Sequence, residues 1–281
     1  MQQHGTIMLY GHPFVQIATF NKDFRLKATM NNDACLAYVK AGTYEVISSN
    51  TTLIARHNES ILMKCGNYIA DLKQDTETNF FKNVLFHLDP ESIKKVFAHK
   101  DISFFRPSNA DKKKQATVKI DQNILMDSFI NSMMPYVDNP ELATENLIEV
   151  KLQELIYILY ESGDVGAINY ILNTLFIPEQ IAFKKVIEAN LFNNLSIAEL
   201  AHLAIRSESS FKRDFKKAYR TSPAKYIKQK RLEKAAKLLR SNTNPVSDIA
   251  WHCGFENVAH FSNAFRLAYG KSPRAYRNWP K

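Results

Sequence analysis

The clearest chemical pattern lies in the last hundred residues, where hydroxyl, amide and cationic side chains alternate with phenylalanines. Phe211 and Phe215 are four residues apart, so they share one face of a helix. Lysine and arginine can pair with guanine O6 and N7, and serine can bond base edges or phosphates. The pattern predicts a DNA-binding face formed by the side chains on or near the opposite side: Ser207, Ser209, Ser210, Lys212, Arg213 and Lys216.

A second set follows fifty residues later, opposite Phe261 and Phe265. Its members are Val258, Ala259, His260, Ser262, Asn263 and Arg266. Val258 and Ala259 can touch thymine methyl groups, and Asn263 can read adenine. Each of these side chains can equally contact a phosphate or stay solvated, so base reading and backbone binding both remain open.

These two sets belong to an internal repeat with a period of 50 residues. It pairs Phe211 with Phe261, Phe215 with Phe265, Tyr219 with Tyr269, Ser222-Pro223 with Ser272-Pro273, and Tyr226 with Tyr276. Each copy contains two short helices with a tight turn, the pattern of a helix-turn-helix motif, whose second helix enters the major groove.

The segment between the copies, Pro223–Arg240, is predicted to be one helix. Eighteen helical residues span about 27 Å. A spacer of that length can hold two recognition helices about 34 Å apart, so one chain can read two successive turns of one DNA face.

The charge distribution supports a nucleic-acid partner for the same region. The net charge of +9 divides unevenly, since residues 179–281 hold 20 lysines and arginines against 8 acidic residues. Residues 1–178 hold 17 against 20. A basic segment joined to a slightly acidic one is typical of a nucleic-acid binder with a separate regulatory part.

Residues 1–109 are predicted to form a β-rich regulatory domain. Short strands rich in β-branched and aromatic residues are expected at 34–39, 44–47, 52–55, 60–65, 68–72 and 80–88, with a turn at Gly42. This pattern predicts a small antiparallel sandwich or a cupin-like barrel. The fold class is therefore α+β, with an all-α domain at residues 179–281.

Residues 110–178 are predicted to be a linker followed by helices. Ile148, Leu152, Leu155 and Leu159 recur on one helical face. A helix this apolar must be buried, either within its own domain or against a second chain. We take these four residues as a dimerisation face, so a homodimer is expected.

The histidines and cysteines do not follow the spacing of a metal site. His12, His57, His87 and His99 lack the His-x-His spacing that places two metal ligands on one strand face, and Cys35, Cys65 and Cys253 lack metal spacing. We expect no metal, no cofactor and no enzymatic activity. The alternative is a cupin-type metal enzyme with an accessory nucleic-acid-binding domain, which predicts a histidine cluster inside the barrel. An RNA-binding protein is disfavoured, because the repeated phenylalanines face inward and are not free to stack on bases. A purely architectural protein would need little base reading and would show weak sequence preference.

Neither a secretory signal nor an apolar run of about 18 residues is present, so a cytoplasmic protein without a membrane partner is expected.

The C-terminal motifs resemble those of the AraC/XylS family of bacterial transcription regulators. The resemblance runs from about residue 179 to 279 and is carried by 195–201, Ser207-x3-Phe211-x3-Phe215-Lys216, 222–227, Arg231-Leu232-x2-Ala235, Gly254-Phe255 and the second copy of the phenylalanine pattern. Ile205 departs from it, in a turn where a smaller residue is commoner. The resemblance implies a seven-helix domain that binds double-stranded DNA and activates transcription through RNA polymerase.

The N-terminal half is more loosely similar to the regulatory domain of activators that control type III secretion genes. In such relatives this domain mediates self-association and is controlled by a partner protein, whereas other family members bind small effectors. The resemblance therefore implies either a small-molecule effector or a regulatory protein at the N-terminal domain. The function expected is that of a sequence-specific transcription regulator, most simply an activator.

Overall fold

A computed structural model describes residues 2–30, 33–64, 66–98, 115–163, 165–175, 183–241 and 243–278. The chain forms two compact units, Met1–Gln180 and Ile181–Lys281, here called the N-terminal and C-terminal units. The predicted boundaries at 109/110 and 178/179 lie outside the described residues, so the three-part division stays a prediction. His99 and Cys65 also lie outside them.

The N-terminal unit contains two antiparallel sheets. Its described strands are β1 (Gln2–Leu9), β2 (His12–Phe20), β3 (Phe24–Met30), β4 (Ala34–Ala41), β5 (Thr43–Ile47), β6 (Thr52–Ala55), β7 (Ser60–Met63), β8 (Gly66–Lys73), β9 (Phe81–Leu88) and β10 (Thr117–Ile120). One sheet has the order β1-β2-β9-β4-β7-β10 and the other β3-β8-β5-β6. The antiparallel β-fold is confirmed, but β1, β2, β3 and β10 were not among the predicted strands, and β10 follows a polar stretch.

The two faces of β4 explain why both sheets and helices are needed. Alternate side chains of a strand point to opposite faces. Cys35 and Val39 belong to the apolar cluster between the two sheets. Leu36 and Tyr38 belong to a second cluster, which the larger sheet shares with helices. The continuous apolar run of β4 is therefore buried on both sides, and the sheets form a sandwich.

Four α-helices follow in the described part of this unit, α1 (Pro90–Val96), α2 (Ile124–Asp138), α3 (Glu145–Ser162) and α4 (Val165–Thr174). A short 3-10 helix, Pro140–Leu142, lies between α2 and α3. None of the described helices is long and apolar enough to cross a membrane.

The predicted dimerisation face of α3 is a core face instead. Ile148, Leu152, Leu155 and Leu159 are at most 1% exposed and lie in the cluster shared with the larger sheet. They are already covered within one chain, so they cannot also contact a second copy. The apolar periodicity identified burial correctly but not the covering partner. Leu147, Val150 and Tyr157 are the large apolar side chains of α3 that are exposed.

The described part of the C-terminal unit has seven α-helices, as predicted. They are α5 (Phe183–Asn190), α6 (Ile197–Leu203), α7 (Glu208–Tyr219), α8 (Pro223–Ser241), α9 (Val246–His252), α10 (Val258–Tyr269) and α11 (Pro273–Arg277). Helices α6 and α7 form the first helix-turn-helix motif, and α9 and α10 form the second. The long helix α8 joins them.

Local sequence determines where these helices begin. Ser196 and Glu199 form a reciprocal capping box at the start of α6. The Ser207 side chain accepts from the Ser210 amide at the start of α7, and Asn257 accepts from two amides at the start of α10. Each cap satisfies backbone donors that the first helical turn leaves unpaired.

Candidate nucleic-acid interface

Buried phenylalanines orient the second helix of each motif. Phe211 and Phe215 are fully buried in α7, with ring centroids 5.8 Å apart, and Phe183 packs 5.3 Å from Phe211. Phe261 and Phe265 repeat this arrangement in α10 at 5.6 Å. Since these rings fix one side of each helix in the core, the opposite side must face outward.

The outward face of α7 carries the predicted polar side chains. Arg213 has 76% of its side chain exposed. Ser207, Ser209, Lys212, Arg213 and Lys216 are exposed, and Ser210 is half-buried. The structure thus groups the six residues on one helix, but whether each contacts a base or a phosphate stays a prediction.

Two of the predicted cations on α7, Lys212 and Arg213, have acidic neighbours. Lys212 forms an ion pair with Glu208 one turn earlier. Asp214 pairs with Arg206 at 3.3 Å and lies 3.8 Å from the Arg213 guanidinium. Arg213 also reaches the Ser210 hydroxyl at 3.5 Å. Because exposed ion pairs are weak, these cations can exchange an intramolecular partner for DNA.

The second motif presents a less polar face. Ala259, His260, Asn263 and Arg266 are exposed, whereas Val258 and Ser262 are half-buried. Arg266 donates to the Asn263 side-chain oxygen at 3.4 Å. Leu267, four residues after Asn263, is 77% exposed and was not predicted as a site residue. A large apolar side chain on this face suits a thymine methyl group. Its spacing of four residues from Asn263 places it on the outward face, but because it is apolar it was not counted among the candidate contacts.

The turns of the two motifs share one backbone geometry. The backbone amide of Arg206 donates to the Ala201 carbonyl at 2.9 Å, and the backbone amide of Phe255 donates to the Ala250 carbonyl at 3.0 Å. The residue before each donor is left-handed: Gly254 at φ +80° and Ile205 at φ +53°. Glycine adopts this conformation freely, but a β-branched residue is strained in it. Ile205 therefore costs stability in the first motif.

We expect Ile205→Gly to raise the free energy of unfolding of the C-terminal unit by about 1 kcal/mol, because it removes left-handed strain. Ile205 is 59% exposed, so little packing is lost. Urea unfolding followed by tryptophan fluorescence measures the change, since both tryptophans, Trp251 and Trp279, lie in the C-terminal unit. The control Ile205→Thr keeps the β-branch and should stay within about 0.5 kcal/mol of wild type. A glycine variant no more stable than wild type contradicts the strain assignment.

Of the four histidines considered in the sequence, the three that the structure describes form no metal-binding group. His12 and His57 are exposed, and the His57 ring lies 2.8 Å from the Lys40 carbonyl. His87 lies between Asp33 at 2.7 Å and Gln16 at 3.0 Å. Within the described ranges, no group of three or more histidine, cysteine, aspartate or glutamate residues is placed to hold a metal ion. Cys35 and Cys253 are buried, and burial raises the pKa of the Cys253 thiol to about 11.

Two family models match this chain. Residues 200–278 match a helix-turn-helix domain, a range that runs from within α6 to the end of α11. Residues 34–167 match the ExsA N-terminal regulatory domain, which covers most of the sandwich and α3. The C-terminal unit is therefore a DNA-binding domain of the double helix-turn-helix class.

Individual relatives are similar over the same C-terminal region. A probable transcriptional regulator, LumQ, of Photobacterium leiognathi is 38% identical over 91 residues, 32% of this chain and 37% of the relative. The transcriptional activator RhaS of Escherichia coli O157:H7 is 38% identical over 82 residues, 29% of this chain and 28% of the relative. The chain thus covers about a third of the length of these relatives.

A solved structure of ToxT from Vibrio cholerae, bound to an unsaturated fatty acid, aligns over 99% of this chain and 97% of ToxT, at 13% identity and a TM-score of 0.43. Together, the matched domains at residues 34–167 and 200–278 and the similar regulators support assignment of the chain to the AraC/XylS family of transcriptional regulators.

Proposed function

We propose that the whole protein is a sequence-specific transcription activator that reads two adjacent major-groove segments of double-stranded DNA. One observation carries this proposal. Each helix-turn-helix motif buries its phenylalanine pair and turns polar side chains of its second helix outward, within the region matched to a DNA-binding family. Recognition helices of such motifs place this face in the major groove.

The two motifs contribute unequally in this proposal. The outward face of α7 carries Lys212, Arg213 and Lys216, while that of α10 carries one arginine, Arg266, among the predicted residues. Bidentate pairing of arginine with guanine gives strong base discrimination. The first motif is therefore expected to supply more of the specificity, and the second more of the apolar contact with thymine.

Activation requires contact with RNA polymerase, which we include in the proposal. The support is the relationship to regulators, one of which is named as an activator. In vitro transcription with purified polymerase tests it. The template is a weak promoter that carries upstream a site obtained by selecting bound sequences from a random duplex pool, here called the selected site. The protein is expected to increase transcript yield, and a template with a scrambled site is the control. A site-dependent decrease would instead identify a repressor.

The N-terminal unit is proposed to regulate the DNA-binding domain, in keeping with the regulatory domain matched at residues 34–167. Its controlling partner is either a small-molecule effector or a regulatory protein, and both remain open. A homodimer is also proposed, now with the exposed apolar side chains of α3, Leu147, Val150 and Tyr157, in place of the buried four. Sedimentation of the full chain at tens of micromolar tests this, since a monomer at that concentration contradicts a stable dimer.

The same proposal places the protein in the cytoplasm, where its DNA and polymerase partners are, and assigns it no catalytic activity. The relatives are regulators, not enzymes. The alternative, a cupin-type metal enzyme with an accessory nucleic-acid-binding domain, would require a histidine cluster between the sheets. The cluster between the two sheets is instead filled by apolar side chains such as Val46, Met63 and Phe81.

A further inference from the structure

Arg231, in the middle of α8, joins the two helix-turn-helix motifs through three backbone carbonyls. Its Nε donates to Leu191 at 2.9 Å and its Nη2 to Asn193 at 2.7 Å, both in the loop that leads into the first motif. Its Nη1 donates to Gly254 at 2.7 Å, in the turn of the second motif. One planar side chain therefore holds backbone from both motifs.

Lys234, three residues later on α8, repeats this bridge. Its Nζ donates to the His252 carbonyl at 3.0 Å, at the end of α9. The same Nζ lies 3.8 Å from the centroid of the Phe192 ring, in the loop before the first motif. A cation over an aromatic face is attracted by the ring quadrupole. Two cations on adjacent positions of one helix face thus contact the same two segments.

The backbones of those two segments also touch directly. Gly254 has φ +80°, and a Cβ added there would lie 2.5 Å from the Phe192 carbonyl oxygen and 3.0 Å from the Arg231 Cζ. Only glycine permits an approach this close. The side chain of Asn194 also donates to Glu256. The contact between the motifs is therefore tight and has one defined geometry.

Apolar packing of the second motif does not provide this connection. The buried members of its core cluster come from α8, α9, α10 and the turn between the last two, from Leu232 to Phe265. Within the described residues, none of them lies in the loop at 191–194. Because hydrogen bonds from a guanidinium are directional and its fork is rigid, Arg231 restricts the angle between the motifs more than apolar contact does.

Burial of Arg231 makes these bonds costly to lose. The side chain is half-buried, and burial lowers the pKa of the guanidinium, which remains charged because an arginine does not deprotonate in proteins. A neutral residue at this position leaves at least two of the three carbonyls without this donor.

We infer that Arg231, assisted by Lys234, is a positioning residue that fixes the second helix-turn-helix motif relative to the first and so determines the spacing of the two DNA motifs that the protein accepts. This inference rests on the proposed function. Neither side chain needs to touch DNA. They fix the distance between the two recognition helices, and so they determine which spacing of two half-sites allows both helices to bind at once.

The test measures the Kd of the full-length protein, at one stated salt concentration, for duplexes in which the two selected motifs are moved by −2 to +2 base pairs. A duplex with one motif measures each protein's binding without a spacing requirement. We expect wild type to lose about tenfold in affinity for each one-base-pair shift, comparable to a mismatched base pair. Arg231→Gln should reduce that loss to about threefold or less while its affinity for the single motif stays within about twofold of wild type.

Two further variants separate positioning from general destabilisation. Arg231→Lys keeps the charge but not the fork, so its spacing preference should be intermediate. Lys237→Gln removes an exposed cation one turn beyond Lys234 and should keep the full preference. Tryptophan fluorescence confirms that each variant is folded. If Arg231→Gln does not fold, Lys234→Met is judged by the same criterion.

A folded Arg231→Gln protein with the wild-type spacing preference overturns the inference and leaves the proposed function intact. The same is true of a wild-type protein that binds the motif pair equally at every spacing. A wild-type protein that selects no DNA sequence overturns the proposed function, and this inference with it.

Discussion

Replacing Phe215 by alanine is expected to lower the free energy of unfolding of the C-terminal unit by about 3–5 kcal/mol, because the substitution leaves a cavity where a buried ring was. Phe215 is fully buried and contacts aromatic rings on three other sides. Its centroid lies 4.5 Å from Tyr219, 5.6 Å from Tyr226 and 5.8 Å from Phe211. These rings come from α7 and α8, so a smaller residue loosens the joint between the first motif and the long helix.

Urea unfolding of the full chain, followed by tryptophan fluorescence, measures this loss in the C-terminal unit alone. Leu267→Ala is the matched control, since it also truncates a large apolar side chain, but one that is 77% exposed on the equivalent helix of the second motif. It should change stability by no more than about 0.5 kcal/mol. Equal midpoints for Phe215→Ala and wild type would show that this ring is not part of the core.

Arg213→Ala is expected to weaken binding to the selected DNA by about 1–3 kcal/mol while leaving non-specific binding nearly unchanged. Arg213 lies on the outer face of α7, directly opposite the buried phenylalanine pair, with 76% of its side chain exposed. A guanidinium at that position can form two hydrogen bonds with one guanine. Removing the side chain removes both of these hydrogen bonds, so the preference for guanine at that position is lost.

The ratio of specific to non-specific affinity is the informative readout for Arg213, because a lost phosphate contact lowers both affinities together. Lys237→Ala is the control, since it removes one exposed cation from α8 and should leave the ratio unchanged. An Arg213→Ala protein whose ratio equals that of wild type would assign Arg213 to the DNA backbone or to solvent.

Sequence reasoning captured the C-terminal unit well because its information is local and repeated. The phenylalanine pairs at i and i+4 specify the inner face of each second helix, and the capping box at Ser196 and Glu199 specifies a helix start. Two copies of one pattern reinforce each other, so the two helices of each motif, the helix between the motifs and the outward polar faces follow from the residue pattern, whereas the total of seven helices was implied by the family resemblance.

Periodicity could not say what covers an apolar face. The stripe from Ile148 to Leu159 is equally consistent with a dimer and with a core, and the structure shows a core, because helices α1, α2 and α4 and the larger sheet supply the cover. That sheet includes β1 and β10, which are distant in sequence, so the covering surface exists only after the strands have assembled. Long-range pairing of this kind leaves no local signal.

The sequence also did not predict the role of Arg231. Arg231 lies in the stretch 231–235 that carries the family resemblance, but the local pattern does not distinguish a cation that faces solvent from one that donates to three carbonyls. The distinction depends on where the loop at 191–193 and the turn at Gly254 meet in three dimensions. Gly254 itself carried a partial signal, since a glycine within a predicted turn often marks a left-handed residue or a close approach.

Selection of bound sequences from a random duplex pool, with the full-length protein at stated salt, shows whether one chain reads DNA with two helix-turn-helix motifs. We expect recovery of two short motifs with centres about 10 base pairs apart, one turn of the duplex. Recovery of one motif only would restrict base reading to a single recognition helix. No enrichment, either by the full chain or by residues 179–281 alone, would contradict sequence-specific DNA reading by this chain.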